Sequence, residues 1–130
     1  MRLTDEVYVV GGGTSNAFGL TNDPDCHIYL VDGGDELALI DCGIGEGDSI
    51  DRLMANVRAE GLDPSRITKL LLTHYHMDHA GGAARMRERL GLDVVAPVGP
   101  HRAHATAPRP RSSDHPGTGA VWWSGPASIR

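Results

Sequence analysis

The chain has 130 residues, a formal net charge of -5 at neutral pH and two cysteines. Such a length is typical of one domain with a single hydrophobic core. The negative balance gives no electrostatic footprint for nucleic acid and argues against a polybasic attraction to anionic lipid. We therefore expect a small-molecule substrate and neither a nucleic-acid nor a membrane partner.

The N-terminal segment MRLTDEVYVV carries acidic residues where a secretory signal needs an apolar core. No stretch of the sequence approaches the roughly 20 apolar residues of a membrane span. Cys26 and Cys42 belong to no CxxC motif or Cys/His cluster, so we interpret them as buried small hydrophobic residues. Two such thiols are typical of a reducing compartment, and we predict a cytoplasmic protein.

Three short apolar runs near the N-terminus predict strands at residues 7–10 (VYVV), 27–31 (HIYLV) and 37–41 (LALID). Turn residues separate the runs, and DGGD between the second and third is typical of a hairpin. Asp41 closes the third run, directly before the loop CGIGEG. Together these features predict a β meander.

The next segment predicts helices that alternate with strands. Residues 48–60 have helical spacing and end at Gly61, with an apolar stripe at Ile50, Leu53, Met54 and Val57. Residues 67–73 (ITKLLLT) are nearly all apolar, which is typical of a strand covered on both faces. Residues 82–90 predict a second helix that Gly91 ends, and LDVVAP offers a further strand. This order predicts an α/β architecture with crossover helices.

The composition changes beyond residue 97. Six of the eight prolines lie between Pro97 and Arg130, with both tryptophans, four arginines and one acidic residue, Asp114. The net charge there is +3 (four arginines minus one aspartate), which leaves -8 for residues 1–96. Without apolar periodicity, this tail is a disordered extension, a linker or an out-of-frame translation of a GC-rich gene, and we favour the last hypothesis.

The segment LLLTHYHMDHAGG, residues 70–82, places three histidines and one aspartate within six positions. In an extended loop, residues at i and i+2 project to the same side, so His74 and His76 can reach one metal ion. Asp78 and His79 follow in the next turn of the loop. Imidazole and carboxylate donors suit zinc, and a bound ion would generate hydroxide near neutral pH for hydrolysis. Four other histidines are interpreted as ordinary surface or core residues: His27, His101, His104 and His115.

The motif THYHMDHAGG closely resembles the H-x-H-x-D-H signature of the metallo-β-lactamase fold superfamily. LALIDCG resembles the segment of that superfamily that carries a structural aspartate. The resemblance covers roughly residues 3–97 and implies the α/β, αββα-sandwich fold of the superfamily. It also implies that His74 and His76 bind a first metal ion, and that Asp78 and His79 bind a second. Asp41 is then the residue that braces the metal loop (residues 73–82) from behind.

The resemblance implies a zinc-dependent hydrolase in which metal-bound hydroxide attacks an ester, thioester, lactone or amide carbonyl, with Asp78 helping to orient the nucleophile. Up to two zinc ions are expected, while iron and manganese stay open. A truncated, non-catalytic remnant with weak or absent metal binding is the alternative, followed by a nucleic-acid-processing relative.

Complete members of the superfamily have two αββα-related halves and take further metal ligands from the second half. We therefore predict that residues 1–97 are the N-terminal half of such a domain and that residues 98–130 are an irregular tail. A half-fold would expose the sheet face that its partner should cover. This exposure predicts homo-oligomer formation through the sheet face.

Overall fold

A computed structural model describes residues 1–97 of the chain. The five strands of its sheet are β1 (Val7–Gly11), β2 (Ile28–Asp32), β3 (Leu37–Ile40), β4 (Ile67–Leu71) and β5 (Asp93–Val95). Its α-helices are α1 (Ser49–Ala59), α2 (Met77–Ala80) and α3 (Ala83–Leu90), and short 3-10 turns lie at Thr14–Asn16 and Pro64–Arg66. The predicted irregular tail, with His101, His104 and His115, lies outside the described residues.

The sheet joins an antiparallel meander to a parallel part, in the order β1-β2-β3-β4-β5. β2 pairs antiparallel with both β1 and β3, and the DGGD turn closes the β2–β3 hairpin. β4 pairs parallel with β3 and with β5, so α1 and α3 lie in crossovers. Parallel neighbours require such a crossover, whereas antiparallel neighbours need only a turn. The predicted meander and the predicted α/β alternation are both confirmed.

The hydrophobic core lies between one face of the sheet and the two longer helices. One row across four neighbouring strands is buried: Leu30, Leu39, Leu70 and Val94. The helix α1 packs against this face through its predicted stripe of Ile50, Leu53, Met54 and Val57. The helix α3 adds Ala83 and Met86 to the same cluster. Within residues 1–97, none of the helices has both the length and the apolar composition that crossing a bilayer requires.

Among the described residues, the opposite face of the sheet is only half-buried across β2 to β5, although Val9 of β1 is buried on it. Its row beside the metal loop consists of Tyr29, Ile40, Leu71 and Val95. In β4, Thr68 is exposed and Lys69 is half-buried, so the predicted burial of this strand on both faces is wrong for residues 1–97. The reason is that both longer helices pack on one side, which leaves Leu71 on the open side. Self-association through the open face stays a prediction.

Glu36, in the β2–β3 hairpin, generates a prediction about stability. Hydrogen bonds from Lys69 and then from Thr68 lower the pKa of the Glu36 carboxyl. A lowered pKa stabilises the fold above the unfolded pKa, and this contribution is lost as the pH falls through the folded pKa. We therefore expect Glu36→Gln to reduce the free energy of unfolding slightly near neutral pH and to have no effect in strong acid.

The measurement is urea-induced unfolding of both proteins over a series of pH values. Glu88→Gln, on the exposed side of α3, is the matched control and should follow the unsubstituted protein throughout. The same pH-dependent loss in both variants would show that the Glu36 partners do not cause it.

Candidate metal centre

The metal loop, residues 73–82, connects β4 to α3. Leu72 is held at the end of β4 by a hydrogen bond from its N–H to Val95 O, 2.8 Å long. The backbone stays non-helical until His76, whose extended conformation precedes α2. Asp78 and His79 then lie in the single turn of α2, where Ala80 N–H donates to His76 O. The metal loop is therefore extended in its first part and helical in its second.

Three imidazole rings converge in the metal loop. The ring centroids of His74 and His76 are 4.7 Å apart, and those of His74 and His79 are 4.0 Å apart. Asp78 Oδ2 lies 3.4 Å from His79 Nε2. The structure thus brings the three predicted imidazole ligands together and places Asp78 beside His79. Imidazoles with a carboxylate are a donor set of the kind that zinc takes, so these residues fit a metal ion.

A buried carboxylate lies directly behind the metal loop. Asp41, at the end of β3, is only 3% exposed and has a left-handed backbone conformation with φ of 61°. Its Oδ1 accepts a hydrogen bond from Thr73 N (2.8 Å), and its Oδ2 accepts one from the Thr73 hydroxyl (2.7 Å). The same Oδ2 lies 2.8 Å from His79 Nδ1. Aspartate tolerates a positive φ better than most residues, and backbone strain of this kind clusters at functional sites.

The partners of Asp41 determine which ring nitrogens are protonated. A carboxylate only accepts hydrogen bonds, so Nδ1 of His79 carries the proton that it shares with Asp41. The Thr73 hydroxyl donates to Asp41, and it therefore accepts from Nδ1 of His74, 3.0 Å away. In both rings Nε2 is then the nitrogen with a lone pair. Carboxylates orient metal-binding histidines in this way.

Two backbone hydrogen bonds attach the helical turn of the metal loop to the ends of other elements. Cys42 N–H donates to His79 O over 2.8 Å, and Cys26 N–H donates to Asp78 O over 3.0 Å. Cys42 follows β3 and Cys26 precedes β2, so both bonds originate in the meander. The carbonyl groups of two predicted ligands are thus held by the sheet.

Glycines allow the metal loop to lie against the loop that follows β3. A Cβ atom on Gly81 would lie 2.6 Å from Met77 O and 2.9 Å from Ile44 Cα. A Cβ atom on Gly45 would lie 2.5 Å from Gly82 Cα. These distances leave no room for a side chain, so the close approach of the two loops requires glycine at these positions.

A cavity of about 360 Å³ lies beside the metal loop, at the carboxyl ends of β3 and β4. Open α/β sheets bind ligands at this edge, and the volume is within the usual range for small-molecule sites. Its polar lining residues are Asp41, Thr73, Asp78 and His79. Its other lining residues are Cys26, His27, Tyr29 and Ile40. The predicted ligands Asp78 and His79 therefore face a space that can admit a small molecule.

The positions of Cys26 and Thr73 in this site are not predicted by the sequence. The Cys26 sulfur, an Asp41 oxygen and a His79 ring nitrogen all lie within 4.8 Å of one another. Cys26 and His79 are not related by any motif spacing in the sequence. The hydrogen bond from Cys26 N–H to Asp78 O brings the two residues together. The sequence contains one weak indication that Thr73 belongs to the site, because this hydroxyl residue lies between a strand and the first histidine of the motif.

Both cysteines are free and buried, which confirms their interpretation as buried residues. Burial, and to a smaller extent the neighbouring Asp41 carboxylate, raises the pKa of the Cys26 thiol to about 12. Burial likewise raises the pKa of the Cys42 thiol to about 12. Both thiols are therefore protonated near neutral pH in the metal-free protein.

The mixed sheet, with a histidine-rich loop after a parallel strand and a buried aspartate behind it, defines an α/β domain with a candidate metal site. The sequence profile of the metallo-beta-lactamase superfamily matches residues 21–129, and the chain belongs to this superfamily. The solved structure of BJP-1, a subclass B3 metallo-beta-lactamase of Bradyrhizobium japonicum, has the same fold. It superposes with a TM-score of 0.58 and 26% identity over 73% of this chain and 31% of that chain.

Three curated relatives show similarity at the sequence level. A probable metallo-hydrolase of Mycobacterium tuberculosis is 32% identical over 125 residues, covering 82% of this chain and 39% of the relative. A ribonuclease Z of Methanothermobacter thermautotrophicus is 34% identical, covering 71% of this chain and 30% of the relative. An atrochrysone carboxyl ACP thioesterase of Aspergillus fumigatus is 41% identical, covering 65% of this chain and 25% of the relative. The chain spans less than half the length of each relative and covers only part of the fold.

The environment of Asp41 predicts a loss of metal affinity in Asp41→Asn. The amide keeps the size of the side chain but removes the charge that holds the Nδ1 proton of His79. Partners of this kind contribute about 10- to 100-fold to metal affinity, and we expect a loss in that range. Zinc titration against a chromophoric chelator measures it. Asp35→Asn, in the exposed hairpin turn, is the control, and equal affinities for both variants would contradict the bracing role.

The buried thiols predict slow alkylation of the folded, metal-free protein. The thiolate is the reactive form, so a pKa raised from 9.0 to about 12 slows alkylation near neutral pH by about 1,000-fold. The rate should rise with pH as the thiolate fraction grows. Iodoacetamide labelling, followed by mass spectrometry, measures both sites, and the urea-unfolded chain provides the reference. Rapid labelling of either cysteine in the folded protein would refute the prediction.

Proposed function

We propose that the chain belongs to a zinc-dependent hydrolase that acts on the carbonyl group of an ester, thioester, lactone or amide. The observation that supports this proposal most strongly is the convergence of three imidazole rings and Asp78 in a loop braced by Asp41. Membership of the metallo-beta-lactamase superfamily supports it independently. The proposal concerns the activity as a whole, because the chain spans less than half the length of the relatives that it matches.

In this proposal His74 and His76 hold a first zinc ion, and Asp78 and His79 hold a second. When bound, zinc lowers the pKa of a coordinated water towards neutrality and polarises the substrate carbonyl. Asp78 is half exposed at the cavity, where its second oxygen can accept a hydrogen bond from the attacking water and orient it. Asp41 is a positioning residue, because it acts on the rings through hydrogen bonds. Iron and manganese suit the same donors and are the other candidate metals.

A carbonyl substrate is favoured over a nucleic acid by charge. Residues 1–96 carry a net charge of -8 (eight basic minus 16 acidic residues), and a polyanionic substrate would be repelled. The fungal relative is named as a thioesterase, which supports a thioester among the carbonyl substrates. The relative named ribonuclease Z supports the nucleic-acid alternative, for which a basic surface elsewhere in the longer protein would be required.

We also propose the cytoplasm as the compartment of this chain. Both cysteines of the sequence are free and buried in the structure, and free thiols persist in reducing surroundings.

The direct test is hydrolysis by the zinc-loaded 130-residue chain of a p-nitrophenyl ester, a model thioester and bis(p-nitrophenyl) phosphate. We expect chelator-sensitive turnover of the carbonyl substrates and a loss of at least about 100-fold in kcat/KM for His76→Ala, which removes a direct ligand. Met77→Ala, at the neighbouring and highly exposed position, is the matched control and should retain activity.

Each other outcome distinguishes one alternative. Weak or absent zinc binding, without turnover of any substrate, would favour the non-catalytic remnant. Turnover of the phosphodiester alone would favour a nucleic-acid-processing enzyme. Turnover that survives the chelator would contradict the metal-dependent mechanism.

A further inference from the structure

We propose that Cys26, Asp41 and His79 form a second kind of cation site, selective for thiophilic ions such as Cd²⁺ and competing with the metal loop for His79. The three candidate ligand atoms already lie within 4.8 Å of one another. They comprise one sulfur, one oxygen and one nitrogen donor. This set differs from the histidine and aspartate donors assigned to zinc in the proposed function. The sulfur-containing site does not depend on that function, whereas the competition for His79 rests on it.

The donors are held in place before any cation arrives. Cys26 is 4% exposed and its N–H donates to Asp78 O, while Asp41 is 3% exposed and is fixed by Thr73. All three donors line the 360 Å³ cavity, which provides a route of entry. Ligands that packing has already ordered lose little conformational freedom when they bind.

Charge balance favours a divalent cation at this position. A Cys26 thiolate and the Asp41 carboxylate supply two negative charges, which a divalent ion neutralises. A neutral cluster avoids most of the cost of an unpaired buried charge. The Cys26 thiol proton leaves to solvent on binding, as metal binding to cysteine requires. Thiolate donors select soft ions, which distinguishes this site from one built of imidazole and carboxylate.

Competition follows from the single lone pair of a neutral imidazole. Nδ1 of His79 is the nitrogen that faces Asp41, 2.8 Å from its Oδ2. A cation bound at Nδ1 moves the ring proton to Nε2, and Nε2 then has no lone pair for an ion beside Asp78. His79 can therefore serve the cysteine site or the metal loop, but not both at once.

The test is titration of the chelator-treated 130-residue chain with Cd²⁺ under reducing, oxygen-free conditions. The readout is the ultraviolet charge-transfer absorption of a cadmium thiolate, which reports sulfur coordination directly. We expect about one equivalent of Cd²⁺ to saturate the band. Cys42→Ser should retain the band, because Cys26 is then the sole thiol of the chain. Cys26→Ser, the matched substitution, should lose it.

Further variants separate the two proposals. His76→Ala should keep the cadmium band even though hydrolysis is lost, and zinc added first should weaken the apparent cadmium affinity. Absence of the band in the unsubstituted chain or in folded Cys42→Ser would overturn the cysteine site, whatever the hydrolysis assay shows. Retention of the band in Cys26→Ser would also overturn it. Far-ultraviolet circular dichroism establishes that each variant is folded, and if Cys26→Ser is not, the Cys42→Ser result decides.

Discussion

The buried carboxylate of Asp41 is the constraint on which the rest of the site depends. It lies where β3 ends, and it contacts both the first residue of the metal loop and a ring in the loop's helical turn. A buried charge must be compensated by hydrogen bonds, so the carboxylate and the loop stabilise each other. The parallel pairing of β3 with β4 brings the two strand ends together. Sheet topology therefore determines the orientation of the imidazole rings.

Much of the architecture could be predicted from local patterns. The helical stripe of α1 and the DGGD hairpin depend on periodicity and turn chemistry, which are properties of short segments. The exposure of the second sheet face is different, because it depends on which side the crossover helices take. The run of three leucines from Leu70 cannot show that only alternate members are covered. For this reason the predicted double burial of β4 was wrong although the strand itself was correctly placed.

Some residues of the site can likewise be predicted from a local motif, whereas others are brought in only by the tertiary structure. The four loop ligands could be proposed because they lie within six consecutive residues of a recognisable motif. The role of Asp41 could be predicted only from the resemblance of its segment to a known family. The contacts of Thr73 and Cys26 cannot be predicted from their spacing in the sequence. Thr73 connects the Asp41 carboxylate to the His74 ring, and Cys26 approaches the site from the residues before β2. Their placement required the folded chain.

The two backbone hydrogen bonds from Cys26 N–H and Cys42 N–H to the helical turn restrict the motion of that turn. The turn cannot swing away from the sheet unless both N–H groups lose their carbonyl partners and become exposed to water. Movement of the predicted ligands is thus coupled to local unfolding at the ends of β2 and β3. Hydrogen exchange at these two amides reports that opening free energy directly, and the rigidity of the site becomes measurable without any metal or substrate.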